Sequence, residues 1–303
     1  MKLTDKPTIK GLLKRYGTKA EKYLGQHFIL SKKALVQIVA AAEIKKNDTI
    51  IEIGPGLGTL TQELAKTGAK IIAIEKDPSM ISILEETLAD FKNIKIVQAD
   101  VRNLKISEIY KSGDKMGIII EKGGYKIVAN LPFNIATFLI RQWLELKNSP
   151  KLMVLMIQKE VAQRICAKPR LRQGCGGQAP MNLLAASVQF YADAKIINYV
   201  SAEAFWPRPK VSSVIIKIIP KEKLPQKTRD AFFAVVKAGF SQPRKQLIGN
   251  LAKKLSTKGE TSPKGGKIPR EKLMALFKSL NISERARAEN LSLEQWYLLA
   301  KSL

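Results

Sequence analysis

Four consecutive residues in the middle of the chain, Asn130-Leu131-Pro132-Phe133, have the types and spacing for chemistry on a flat amine. The run before them, 126–129 (Lys-Ile-Val-Ala), is short, apolar and β-branched, so it reads as a buried parallel strand ending at Asn130. Pro132 has no N–H and biases Leu131 away from helical dihedrals, which keeps the chain extended past the strand. Free carbonyls, an amide side chain and an aromatic ring then lie together. Converging acceptors suit an exocyclic amine, and a ring suits a base stacked over it. The same residues also fit a strand that closes in a proline turn with Phe133 in the core. Their meaning depends on the rest of the chain.

Two further stretches offer a place for a nucleotide-type group. Gly54-Pro55-Gly56-Leu57-Gly58 follows a strand expected over 49–53 and opens a helix over 59–67. Glycines there let the backbone come close to a ligand at a helix start, although such a turn alone is a weak signal. A second strand, 70–74, ends at Glu75, where a carboxylate can accept from both hydroxyls of a ribose. The alternative is a solvated glutamate beside Lys76 and Asp77, and the ordered run of strand, turn, helix, strand and acid weakens it. A helix over 78–89 leads to a strand over 94–98 and to Asp100, placed to accept from an adenine amino group. The turn and the first acid are common to NAD-binding folds. Asp100 and Asn130 at the next two strand ends, with no His or Tyr set for hydride transfer, suit S-adenosylmethionine better.

The elements that position these residues alternate. Helices over 31–42 (Ser31 as cap) and 137–146, a strand over 151–157 and a helical stretch over 160–167 complete a parallel sheet wound on both faces. Residues 170–180 read as a flexible loop. Strands over 194–200 and 213–219 flank Phe205-Trp206-Pro207-Arg208-Pro209-Lys210, a stiff cationic loop that is either a plain connection or a wall for stacked nucleotides. Past Pro220 the apolar spacing is helical over 228–238, 245–255, 270–280 and 293–302, with a Lys-Gly-Pro linker at 257–269. Residues 2–22 read as a basic, aperiodic, mobile arm able to lie along a phosphate backbone. The expected domains are therefore an arm (1–22), an α/β Rossmann-like domain (23–220) and a smaller all-helical basic domain (221–303).

Composition sets the class. The 303 residues are 45% hydrophobic, enough for a core, and no apolar run approaches the ~20 residues of a membrane span. The N-terminus lacks a secretory apolar region, so a cytoplasmic protein is expected. Cys166, Cys175 and the single His27 make neither a disulfide framework nor a metal site. Lys and Arg number 52 against 26 Asp and Glu, a net charge of +26. Residues 201–303 hold 21 of the basic and 8 of the acidic residues, half of that excess in a third of the chain. Such a surface attracts nucleic acid.

Taken together, these residues resemble the ribosomal RNA adenine N6,N6-dimethyltransferases. The likeness runs from about residue 23 to 300. It is carried by Gly25-Gln26-His27-Phe28, Glu52-Ile53-Gly54-Pro55-Gly56-Leu57-Gly58, Ile74-Glu75-Lys76-Asp77, Gln98-Ala99-Asp100 and Asn130-Leu131-Pro132-Phe133. Gln158-Lys159-Glu160-Val161-Ala162, the 205–213 loop and Arg287-Ala288-Glu289 extend it. The resemblance implies a seven-stranded methyltransferase sheet, a helical domain and S-adenosylmethionine as donor. It also implies, as substrate, two adjacent adenosines in the 3'-terminal hairpin of small-subunit (16S) rRNA in an assembling 30S particle. It places cofactor contacts on His27, Ile29, Gly54, Gly56, Glu75, Asp100 and Asn130, and catalysis on Asn130, Leu131, Pro132 and Phe133. The Asn130 side-chain oxygen and the Leu131 or Pro132 carbonyl would accept from the target N6. RNA contacts are expected at Arg208, Lys210, Arg244 and Lys245, in a protein acting as a monomer with no membrane and no metal. Three departures stand out: Pro243 where the family usually has the first of two arginines, an unmatched insertion at 170–180, and His27 where Asn is frequent. The rivals are the large-subunit rRNA methyltransferases of macrolide resistance and a non-catalytic ribosome-assembly factor.

Overall fold

The β-branched runs form one twisted sheet, and its order explains where a ligand can sit. The computed structural model describes residues 1–21, 25–103, 124–169, 179–255 and 268–303. In chain order the elements begin α1 (Lys6–Arg15), β1 (Phe28–Ile29), α2 (Lys32–Ala41), β2 (Thr49–Ile53), α3 (Thr59–Ala65), β3 (Lys70–Glu75) and α4 (Pro78–Thr87). They continue with β4 (Ile94–Gln98), β5 (Lys126–Asn130), α5 (Ala136–Glu145), β6 (Leu152–Gln158) and α6 (Lys159–Ile165). Then come α7 (Leu183–Tyr191), β7 (Ala192–Val200), β8 (Phe205–Trp206) and β9 (Ser213–Pro220). Four helices close the chain: α8 (Gln226–Gly239), α9 (Leu247–Lys254), α10 (Arg270–Ser279) and α11 (Leu293–Ser302).

The seven-stranded sheet has the order β4-β3-β2-β5-β6-β9-β7. From β4 to β6 every neighbouring pair is parallel, and β9 runs antiparallel to β6. Strands β2, β5 and β6 are buried almost throughout, as parallel strands covered on both faces must be. The chain winds outward from β2 to β4 and then resumes on the other side of β2 with β5. That reversal opens a crevice at the carboxyl ends of β2 and β5, the place where α/β sheets of this type bind ligands.

Two long-range devices hold the ends of these strands. Lys126, which opens β5, is nearly buried. Its Nζ donates to Ala42 O at 3.1 Å and Glu43 O at 2.6 Å, and it pairs with Asp48 at 2.8 Å. A buried ammonium survives only when its donors are satisfied in this way, and here they tie β5 to the end of α2. The short pair β1–β8, with Phe28 opposite Trp206, brings the 205–210 loop to the 25–29 segment.

The chain forms two compact units, Met1–Ala162 with Asp193–Pro220, and Gln163–Ala192 with Lys221–Leu303. One boundary falls after Pro220, and residues 163–192 group with the helical segments and not with the sheet, unlike the continuous 23–220 domain expected. That unit is built on Phe232, Phe277 and Trp296, with Phe190 of α7 stacked on Phe232 at 4.2 Å. Helix α7 is absent from the sequence expectations, although Asn182 caps it by accepting from Ala185 N. Asn250, buried, donates to Gly239 O and Gln242 O and so fixes the turn that carries Arg244 and Lys245.

The mobile arm expected over 1–22 is corrected as well. Residues 6–15 are helical, capped by Asp5 with a proline in the first turn, and Ile9 and Leu13 pack against Phe28, Leu57, Met80 and Ile83. The loop at 170–180 and the linker at 257–269 fall, apart from their last residues, outside the described part. No helix among the described residues is long and apolar enough to cross a membrane.

Candidate functional site

The crevice between β2 and β5 holds a cavity of about 270 Å³ in the first unit, and most of the residues singled out from the sequence meet there. His27, Ile29, Gly54, Gly56, Glu75, Asp100, Asn130 and Pro132 all line it. Leu131 and Phe133 do not line it: Leu131 is buried, and the Phe133 ring lies beside His27 with centroids 5.8 Å apart.

Glu75, at the end of β3, is nearly buried and already oriented. One carboxylate oxygen accepts from Lys76 N at 2.7 Å and Asp77 N at 2.9 Å, and the other from Gly56 N at 3.1 Å. Burial pushes this carboxyl up, and the three backbone donors pull against that shift. Gly56 has φ +59, and a Cβ on it would lie 3.2 Å from the Phe28 ring, so the turn closes on Phe28 only because the residue is glycine. Gly25 does the same for the opposite wall, where a Cβ would lie 3.2 Å from Pro132 Cβ.

Beneath Glu75 lies Glu52 of β2, a residue that the sequence reading quoted without assigning it a role. It is 1% exposed, and its Oε2 has no hydrogen-bond partner. Burial pushes the carboxyl up to about 8, the Thr61 hydroxyl nearby offsets a little, and the Glu75 charge adds to the rise. An orphaned buried carboxyl oxygen beside a cavity is one that a polar group of a ligand can satisfy. Gln26, which spacing alone leaves as an exposed polar residue, is a brace. Its Nε2 donates to Asp77 Oδ2 at 2.8 Å and its Oε1 accepts from Glu21 N.

Asp100 is less free than the sequence suggests. Arg102 donates to it from Nε and from Nη2, the latter at 2.6 Å, and Lys76 Nζ lies 3.1 Å away. These two cations, Arg102 first, hold its carboxyl well below the usual range. An adenine amino group at this wall must share the carboxylate with them.

The acceptor end is better defined. Asn130 Nδ2 donates to His27 O at 3.2 Å, which turns the amide so that Oδ1 is left without a described donor. Leu131 N is tied to Met156 O of β6, and Pro132 O accepts from Ile135 N at 3.2 Å. Of the two carbonyls considered from sequence, Leu131 O is therefore the one without a partner among the described residues. His27 donates from Nδ1 to Pro207 O at 2.7 Å, a bond that links the acceptor segment to the 205–210 loop. In that loop Arg208 and Lys210 are exposed, with Arg208 3.6 Å from Glu203. In the second unit Arg244 and Lys245 are both exposed.

The site fits S-adenosylmethionine on its own features: a carboxylate for a ribose, a glycine turn against an aromatic ring, and an orphaned acid below. Comparison with known proteins agrees. Residues 17–303 match the family of ribosomal RNA adenine dimethylases. A ribosomal RNA small subunit methyltransferase A of Dehalococcoides mccartyi is 37% identical over 292 residues, 96% of this chain and 90% of that protein. The protein of the same description in Clostridioides difficile is 34% identical over 301 residues, 99% of this chain and 96% of the other. Among solved structures, a dimethyladenosine transferase from Plasmodium falciparum superposes with a TM-score of 0.69 at 25% identity, covering 91% of this chain and 97% of that one. The 23S rRNA methyltransferase ErmE also reaches 0.69, at 22% identity over 91% of this chain and 99% of its own, a likeness of fold alone. A family match over nearly the whole length, with relatives more than a third identical, places the chain in the ribosomal RNA adenine dimethylase family.

Proposed function

We propose that this chain dimethylates N6 of two adjacent adenosines in the 3'-terminal hairpin of small-subunit rRNA, acting as a monomer in the cytoplasm on an assembling small subunit. The activity class follows from the family: an S-adenosylmethionine-dependent rRNA adenine dimethyltransferase. One feature supports the finer points: the relatives that match along the full length are described as small-subunit rRNA methyltransferases.

The observation that carries the reading is the pair of unpartnered acceptors, Asn130 Oδ1 and Leu131 O, at the end of β5 beside the cavity. The donor, when bound, supplies a methyl group made electrophilic by its sulfonium. Glu75 would hold the ribose, Gly56 lets the backbone close on it, and Glu52 offers its free oxygen below. The target N6 is a weak nucleophile because its lone pair is delocalised into the ring. Accepting both of its N–H bonds at Asn130 Oδ1 and Leu131 O favours a pyramidal nitrogen with the lone pair turned into the cavity. Phe133 packs one face on His27 and offers the other to a base swung out of its stack. Fixed geometry of this kind is worth several kcal/mol, and a nitrogen that sheds its proton readily needs no dedicated base.

The test is labelled S-adenosylmethionine with small subunits lacking the modification, followed by mapping of the label. Label on two neighbouring adenosines near the 3' end is expected. Label confined to large-subunit RNA would refute the substrate. Asn130→Ala should keep both ligands and lose about a hundredfold in turnover; turnover at the parental rate would refute the acceptor role.

A further inference from the structure

Helix α1 has two faces of opposite chemistry. Ile9, Leu12 and Leu13 are buried, while Lys6, Lys10 and Lys14 are exposed in a row that flanks them. None of these three lysines is ion-paired with a described residue, whereas Arg15 beside them pairs with Glu86 at 3.0 Å. Four-residue steps on a helix put successive side chains on one face about 6 Å apart. That is close to the separation of successive phosphates along an RNA strand. Like charges at this spacing weaken a helix, a cost only partly offset by Lys10 over Trp206 and by Lys14 in the last turn.

A second set of contacts says where the stripe leads. Lys10 Nζ lies over the Trp206 ring, 6.0 Å from its centroid, and Trp206 stacks on Phe28 at 6.4 Å. The next residue, Pro207, accepts from His27, and the His27 ring stacks on Phe133. Cations, an indole and the acceptor loop thus form one line across the first unit. We propose that α1 and Trp206 bind the single-stranded rRNA segment adjoining the target adenosine, with the lysines on successive phosphates and the indole against a neighbouring base. This rests on the reading of Asn130–Phe133 as the adenosine acceptor. Cations on a packed helix are already ordered, so binding loses less entropy than it would with a mobile arm.

The test combines Lys6→Gln, Lys10→Gln and Lys14→Gln, which leave the buried face of α1 untouched. Binding of parent and variant to small subunits lacking the modification is titrated against salt. Each single-strand phosphate contact contributes a log–log slope of about 0.7, so the variant slope should flatten by about 2, with S-adenosylmethionine binding unchanged. A parental slope overturns the proposal. So does a parent that binds anionic vesicles through these lysines while its RNA slope stays the same in the variant, which would assign the face to a membrane surface. A photocrosslinker at position 10 is a second readout that leaves Lys6 and Lys14 in place. Crosslinks to nucleotides flanking the modified adenosines are expected, and crosslinks only to remote helices overturn the proposal. If the parent neither binds nor labels small subunits, the functional reading fails and this one with it. If the parent labels them and the slope is unaltered, only the role of α1 fails.

Discussion

Glu52→Gln tests the electrostatics beneath the pocket. Burial carries the Glu52 carboxyl from its ordinary 4.5 up to about 8. Between these values the folded protein holds a proton that the unfolded chain has released. Stability from this group therefore falls as pH rises from 4.5 toward about 8. At about 1.4 kcal/mol per pH unit the ceiling is on the order of 5 kcal/mol, and local relaxation and water entry reduce it to about 2–3. Glutamine has nearly the same volume and no charge to bury. Parent and variant should unfold with similar free energies near pH 4.5, and the variant's advantage should grow to about 2–3 kcal/mol by pH 8. Glu75, also raised by burial, leaves a residual slope of the same sign in both proteins. Asp100 works the other way. Its carboxyl is held below its ordinary 3.8, so its contribution is complete above that pH and constant across the window. Urea titrations at several pH values, read at the transition of the first unit, give the difference directly. A parent–variant gap that does not change with pH would refute a protonated Glu52 in the folded state.

The remaining predictions separate donor, acceptor and RNA. Glu75→Ala should weaken S-adenosylmethionine binding by about 2–3 kcal/mol, roughly a hundredfold, with rRNA affinity nearly intact; unchanged calorimetric binding would remove the ribose assignment. Replacing Arg244 and Lys245 together with Ala should flatten the salt dependence of small-subunit binding by about 1–2 while leaving the donor site alone. An unchanged slope would mark the 239–245 turn as structural.

Much of the first unit was legible because its signals are local. Strands β2, β3, β4, β5 and β6 are apolar runs of the right length, the first four closed at or just past their ends by Gly54, Glu75, Asp100 and Asn130, and each stands within a residue of where its pattern puts it. Side chains that follow a strand end share the crevice, so Glu75, Asp100 and Asn130 could be grouped before any distance was known. Local pattern says nothing of who else binds them. The cations on Asp100 come from residues 76 and 102, and only the fold brings both to one carboxylate. Lys126 looks like the solvated start of a strand, yet it is a buried clamp whose partners are 83 and 84 residues away.

Helix α1 was missed for a different reason, because its evidence was present and was outvoted. Asp5 before a proline is a helix start, and Ile9, Leu12 and Leu13 have helical spacing. Its lysines, counted as charge, suggested a solvated arm. Counted by position, Lys6, Lys10 and Lys14 form a row that flanks Ile9, Leu12 and Leu13, the pattern of an amphipathic helix. Ile9 and Leu13 pack on the Phe28–Leu57 cluster that supports the Gly56 turn. The lysine row, without counter-charges among the described residues, is the flank proposed above to meet an RNA strand. Charge alone therefore misplaced the segment in the fold, while the register of that charge supports the role proposed for it.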